Sequence, residues 1–224
     1  VEPELIRYPA HDGRDIAAYL YRPAGDGPFP VVLSIHGGPE AQERPMYMYA
    51  GFYQYLLAQG IGVLAPNVRG STGYGATYQK LIHHDWGGAE LGDFEQAVHF
   101  LHSLDWVDPA RIAVFGASFG GFATLSCVSR LPGLWAAGVS IVGPSNLLTF
   151  VKAVPPTWRR LMAKWVGDAD TEQEFLMSRS PVTYADDIVA PLFVIQGAHD
   201  PRVVKTESDQ IVERLRGRGV DVRY

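Results

Sequence analysis

A chain of 224 residues, 47% of them hydrophobic, can bury a substantial core yet is short enough for a single α/β domain. Its net charge of -5 comes without a basic block, which argues against nucleic acid or an anionic membrane surface as a partner. The one cysteine, Cys127, excludes an intrachain disulfide, and no apolar run approaches the ~20 residues that span a bilayer. With no leader-like character in Val-Glu-Pro-Glu, the expectation is a soluble, cytoplasmic protein.

The first segments, Glu4 to Tyr8 and Asp15 to Arg22, alternate polar and apolar residues around His11-Asp12-Gly13 and predict an antiparallel edge hairpin. Val31 to Ile35 then reads as a buried strand, Tyr49 to Gln59 as a helix closed by Gly60, and Ile61 to Ala65 as another buried strand. Ala89 to Leu104 predicts an amphipathic helix with Leu91, Phe94, Ala97, Val98, Leu101 and Leu104 on one face, and Asp108-Pro109 a turn after it. Later strands are expected at Trp135 to Val142, Pro191 to Ile195 and Val220 to Tyr224, with a helix from Lys205 to Arg216. Such alternation implies a mostly parallel sheet with helices on both faces.

Between these elements lies the segment that carries chemistry. Ile112-Ala-Val-Phe115 is an apolar strand that runs into Gly116-Ala117-Ser118-Phe119-Gly120, and Phe122, Ala123, Leu125 and Val128 continue at helical spacing. A G-x-S-x-G at a strand-to-helix corner is a nucleophile elbow, which lifts the serine to the head of a helix where unpaired N–H groups meet developing negative charge. In an α/β-hydrolase fold the acid follows the serine on a later strand, and Asp200 does so directly after Leu192 to Ile195. Asp168, Asp170, Asp186 and Asp187 are weaker rivals, in a turn or before the strand. His36-Gly37-Gly38-Pro39, at the end of Val31 to Ile35, can offer a backbone N–H from Gly37 or Gly38 beside that of Phe119; Phe119 and Gly38 are the expected oxyanion donors, with Gly37 the alternative glycine. All 7 histidines precede Asp200, so the base is expected on a loop after Tyr224 and the chain is expected to be incomplete at its C-terminus.

Together, His36-Gly-Gly-Pro39, the run Asn67-Val-Arg-Gly-Ser-Thr-Gly-Tyr-Gly75, Gly87-Gly-Ala-Glu-Leu-Gly-Asp93, the elbow, Arg179-Ser-Pro181 and the acid loop resemble the catalytic domain of the prolyl oligopeptidase family of serine peptidases, in its acylaminoacyl-peptidase and dipeptidyl-peptidase-like branch. The resemblance covers nearly the whole chain. It implies an α/β-hydrolase catalytic domain over 1–224, without the β-propeller that usually precedes it. Ser118 would be the nucleophile, Asp200 the acid and Arg202 an electrostatic neighbour of that acid. It implies no metal or organic cofactor, a short peptide or acyl-peptide substrate, and leaves homo-oligomerisation open. The second reading is a carboxylesterase, and the third a non-catalytic binding module of the same fold. In 146–180, Phe150, Trp158 and Trp165 with Arg159, Arg160 and Lys164 read either as pocket walls or as an amphipathic helix that buries its tryptophans.

Overall fold

The computed structural model describes residues 2–47 and 51–224. The hairpin forms as β1 (Glu4–Pro9) and β2 (Asp15–Tyr21), antiparallel. It is followed by β3 (Phe29–Ile35), α1 (Phe52–Ala58) and β4 (Gly62–Asn67). The start of the expected helix at Tyr49 lies outside the described residues. Its end is where the sequence places it: Gly60 takes φ +73°, and the Ile61 and Gly60 amides return to the carbonyls of Leu56 and Leu57 at 2.9 and 3.0 Å.

α2 (Ala76–Lys80) precedes α3 (Ala89–His102), whose buried face is Leu91, Phe94, Ala97, Val98 and Leu101. β5 (Val107–Ala117) begins earlier than expected and absorbs the Asp108-Pro109 turn. Phe29 pairs with Val107 and Val31 with Ile112, so four residues bulge out where proline cannot donate to the ladder. Then come α4 (Phe119–Arg130), β6 (Ala137–Ile141), α5 (Leu147–Ala153), α6 (Pro156–Trp165), α7 (Gln173–Arg179), β7 (Leu192–Ile195), α8 (Thr206–Gly217) and β8 (Val222–Arg223). α2, α5 and α7 are too short for periodicity to announce them, being held by packing rather than propensity.

The eight strands form one sheet in the order β1-β2-β4-β3-β5-β6-β7-β8, parallel from β4 to β8. This is the expected α/β-hydrolase arrangement. Right-handed crossovers put α3, α4 and α8 on one face and α1, whose connection runs back from β3 to β4, on the other. On the α1 side a groove of about 500 Å³, lined by Phe52, Phe115, Val139, Ile141, Phe193 and Ile195, remains open over β5 to β7.

The glycine-rich run after β4 is scaffolding. The Arg69 guanidinium, 5% exposed, donates bidentately to Asp93 of α3 at 2.7 and 2.6 Å and also reaches Asp12 in the β1–β2 turn at 3.3 Å. Such a fork is held only where planar geometry meets a carboxylate, which is why arginine stands here. Asn67 accepts from the Glu43 amide at 2.8 Å and donates to the Glu43 carbonyl at 3.2 Å, pinning the loop that leaves β3.

Candidate active site

Ser118 caps the end of β5 at φ 57° and ψ −118°, a conformation that costs a residue with a side chain on the order of 1–3 kcal/mol unless its surroundings enforce it. The surroundings do. A Cβ on Gly120 would lie 2.1 Å from the Ile35 carbonyl oxygen, and one on Gly116 would lie 2.4 Å from that of Gly120. The ends of β3 and β5 and the first turn of α4 thus touch backbone to backbone, and the Ser118 amide donates to the Ile141 carbonyl of β6 at 2.9 Å. The result is an exposed serine on a buried base: Phe119 is 1% exposed and Phe122 fully covered. As the first residue of α4, Phe119 has an amide with no acceptor within its helix, and none is found among the described residues.

The loop after β3 comes against the elbow at Gly37, where a Cβ would stand 3.6 Å from that of Ser118 and 3.1 Å from the Ala117 carbonyl. His36 is buried, and burial lowers its pKa from the ordinary histidine value. Nδ1 faces the Gly37 carbonyl at 2.7 Å, which can only accept, and Nε2 lies 2.9 Å from the Ser71 hydroxyl, whose single proton goes to the Val68 carbonyl at 2.7 Å. Because the peptide is planar, fixing the Gly37 carbonyl also fixes the Gly38 N–H on the opposite side of the same plane. That amide, too, lacks an acceptor among the described residues.

Asp200 follows β7, two strands from β5 in a parallel sheet, so it shares the C-terminal edge with Ser118 at a strand-axis separation of ~10 Å. It is half-buried. Its Oδ1 accepts from the amides of Arg202 at 2.8 Å and Val203 at 3.0 Å, and its Oδ2 has no partner among the described residues. One oxygen therefore shapes the loop while the other stays open to a donor.

Arg202 differs from expectation. Its guanidinium makes no ion pair with Asp200 and lies 5.5 Å over the Trp158 ring of α6; only its backbone amide reaches the acid. The reason is the tight turn, which spends Oδ1 on two consecutive amides and sends the Arg202 side chain outward.

Residues not singled out from the sequence brace this loop. Gln196 donates to the Val203 carbonyl at 2.8 Å and accepts from Ser208 at 2.9 Å. Glu207, fully buried at the start of α8, accepts from the amides of Ser145 and Asn146 at 3.1 and 3.0 Å and from the Thr149 hydroxyl. Burial raises its pKa, opposed by these hydrogen bonds. A glutamate in the first turn of a helix ordinarily faces solvent, so nothing local marked it.

Among the described residues no histidine bonds to Ser118. His83 pairs with Glu40, His84 with Glu172, and both ring nitrogens of His36 are engaged. Nor do three or more His, Cys, Asp or Glu side chains gather where they could hold a metal ion.

The sequence profile of the prolyl oligopeptidase family matches residues 48–224. Dipeptidyl aminopeptidase BIII of Pseudoxanthomonas mexicana is 38% identical over 98% of this chain and 34% of its own length. A puromycin-hydrolyzing peptidase of Mycobacterium tuberculosis superposes with a TM-score of 0.92 at 29% identity, covering 99% of this chain and 34% of its own. The Pyrococcus horikoshii acylaminoacyl peptidase gives 0.90 at 26%, covering 99% and 36%. The chain spans about a third of the length of these relatives.

Proposed function

The chain belongs to the prolyl oligopeptidase family, and from that premise we propose that residues 1–224 carry the nucleophile, the acid and the oxyanion donors of the catalytic domain of a serine peptidase that cleaves short peptides or acyl-peptides through an acyl-enzyme. Ser118 attacks the carbonyl carbon, and the amides of Phe119 and Gly38 take up the oxyanion. An imidazole from polypeptide following Tyr224 accepts the hydroxyl proton and returns it to the leaving amine, while Asp200 Oδ2 holds that ring in position. Water then attacks the acyl-enzyme by the same proton transfers. The observation that carries this reading is an exposed serine forced to positive φ at the head of a helix, with the unengaged amides of Phe119 and Gly38 following the C-terminal ends of two neighbouring parallel strands.

No helix among the described residues is long and apolar enough to cross a membrane. A cytoplasmic setting belongs to the same proposal and suits the free, buried Cys127.

The test compares this chain with a version extended in its reading frame past Tyr224, on p-nitrophenyl esters and on an acetylated aminoacyl anilide. The extended protein should turn over the anilide and lose that turnover in Ser118→Ala and Asp200→Asn. The shorter chain should fall short by on the order of 10⁶-fold, the cost of removing the base from a Ser-His-Asp triad. Equal rates would place the base among the histidines already present. Ester turnover without anilide turnover would make the protein a carboxylesterase, and no Ser118-dependent turnover would make it a binding module.

A further inference from the structure

α6 stands almost bare. Trp158, Leu161, Met162 and Trp165 fall at i, i+3, i+4 and i+7 and form one apolar stripe, yet only Met162 is buried, and Trp158 and Leu161 are 36% and 41% exposed. The sequence allows a helix that buries its tryptophans; the structure covers only the C-terminal half of the stripe. The uncovered half adjoins the acid loop, since the Arg202 guanidinium lies over Trp158 while its amide holds Asp200.

Cations surround this open half. Arg159 and Lys164 flank the stripe on its two sides, Arg160 is one helical turn before Lys164, Lys152 comes from the end of α5 and Arg202 from the acid loop. All are exposed, and none forms an ion pair among the described residues. Like charges at the 160 and 164 spacing cost a helix stability, and the chain as a whole carries -5, so neither local stability nor overall composition accounts for the cluster. The carboxylates that face it are Asp168 and Asp170, which share a cavity of about 320 Å³ with Lys152 and Arg159. Asp168 is committed to the amides of Asp170 and Thr171 at 2.9 and 3.1 Å, and the neighbouring Glu172 to His84. That leaves Lys164, Arg160 and Arg202 without a counter-charge.

We propose that α6 is a specificity surface for acidic peptides, in which an apolar side chain packs on Trp158 and Leu161 and an adjacent carboxylate is held by Arg160 and Lys164, the two cations that share one side of the stripe. This deepens the peptidase reading and rests on it, because the surface borders the edge that carries Ser118 and Asp200. Its binding can be measured apart from turnover.

The experiment uses the protein extended past Tyr224, carrying Ser118→Ala, and fluorescein-labelled, N-acetylated pentapeptides that differ only in Glu, Gln or Lys beside a central Phe, with anisotropy as the readout. The Glu peptide should bind about tenfold more tightly than the Lys peptide at about 50 mM salt, from two exposed ion pairs, and the gap should close as salt approaches about 300 mM. Arg160→Glu with Lys164→Glu should reverse the ranking. Arg7→Glu, an equal charge change on distant β1, should leave it intact, and Trp158→Ala should weaken all three peptides. The inference is overturned if the ranking survives the double charge reversal, if no peptide binds, or if vesicles of anionic phospholipid bind better than any peptide. Loss of the ranking while the extended protein with Ser118 intact turns over the anilide removes this inference alone; charge-ranked binding when that extended protein shows no Ser118-dependent turnover removes the peptidase reading instead.

Discussion

The elbow and the acid loop lie on the same edge of one sheet and are built by opposite means. Around Ser118 the constraint is steric: backbone atoms of β3, β5 and α4 meet so closely that a Cβ on Gly120 would lie 2.1 Å from a carbonyl oxygen, and no titratable side chain lies between 116 and 121. Around Asp200 the constraint is polar and passes through side chains, from Gln196 and Asp200 within the loop to Glu207 reaching across to α5. A nucleophile fixed by exclusion is rigid and indifferent to pH. An acid fixed by hydrogen bonds can be adjusted, and one of its braces can be protonated.

The sharpest way to break this contrast is Gly120→Ala. A methyl group there must displace the end of β3, and the expected destabilisation exceeds about 3 kcal/mol in urea unfolding. A fully stable variant would mean that the elbow is soft. Next is Glu207→Ala, which leaves the buried amides of Ser145 and Asn146 without an acceptor and should cost roughly 2–3 kcal/mol. Such a loss would show that hydrogen bonds on the acid side rival steric packing on the other.

A smaller effect separates the two regions by pH. Burial raises the Glu207 pKa above its unfolded value, so its contribution to stability is complete below the ordinary carboxylate range and lost as pH rises through the folded value. The unfolding free energy should therefore drop more for the parent than for Glu207→Gln between about pH 4 and about pH 7. Glu43 and Glu90, both pushed up to about 7 by burial, drift in the same direction in both proteins and cancel in the difference. Identical pH slopes would refute a role for Glu207 protonation. The smallest effect is expected of Arg202→Ala, below about 1 kcal/mol, because the acid is held by the backbone amide, which the substitution keeps. A larger loss would show that the stacked guanidinium anchors the loop to α6.

What could be read from the chain was what repeats locally. Apolar runs marked the parallel strands, a 3.6-residue period marked α3, Gly60 marked the end of α1, and the glycines about Ser118 marked a corner where backbones meet, since each of these is decided within a few residues of itself. The order of strands and helices then placed Ser118 and Asp200 on one sheet edge. Tertiary structure alone decided what depends on partners distant in sequence: that Glu207 is buried against residues some 60 positions earlier, that Arg202 turns to Trp158 instead of Asp200, that His36 lies between the Gly37 carbonyl and Ser71, and that α6 keeps half of its apolar stripe in the open. A carboxylate or guanidinium has no intrinsic preference for burial or exposure strong enough to be read from its neighbours in sequence. Its place follows from which donors, acceptors and rings the fold brings to it.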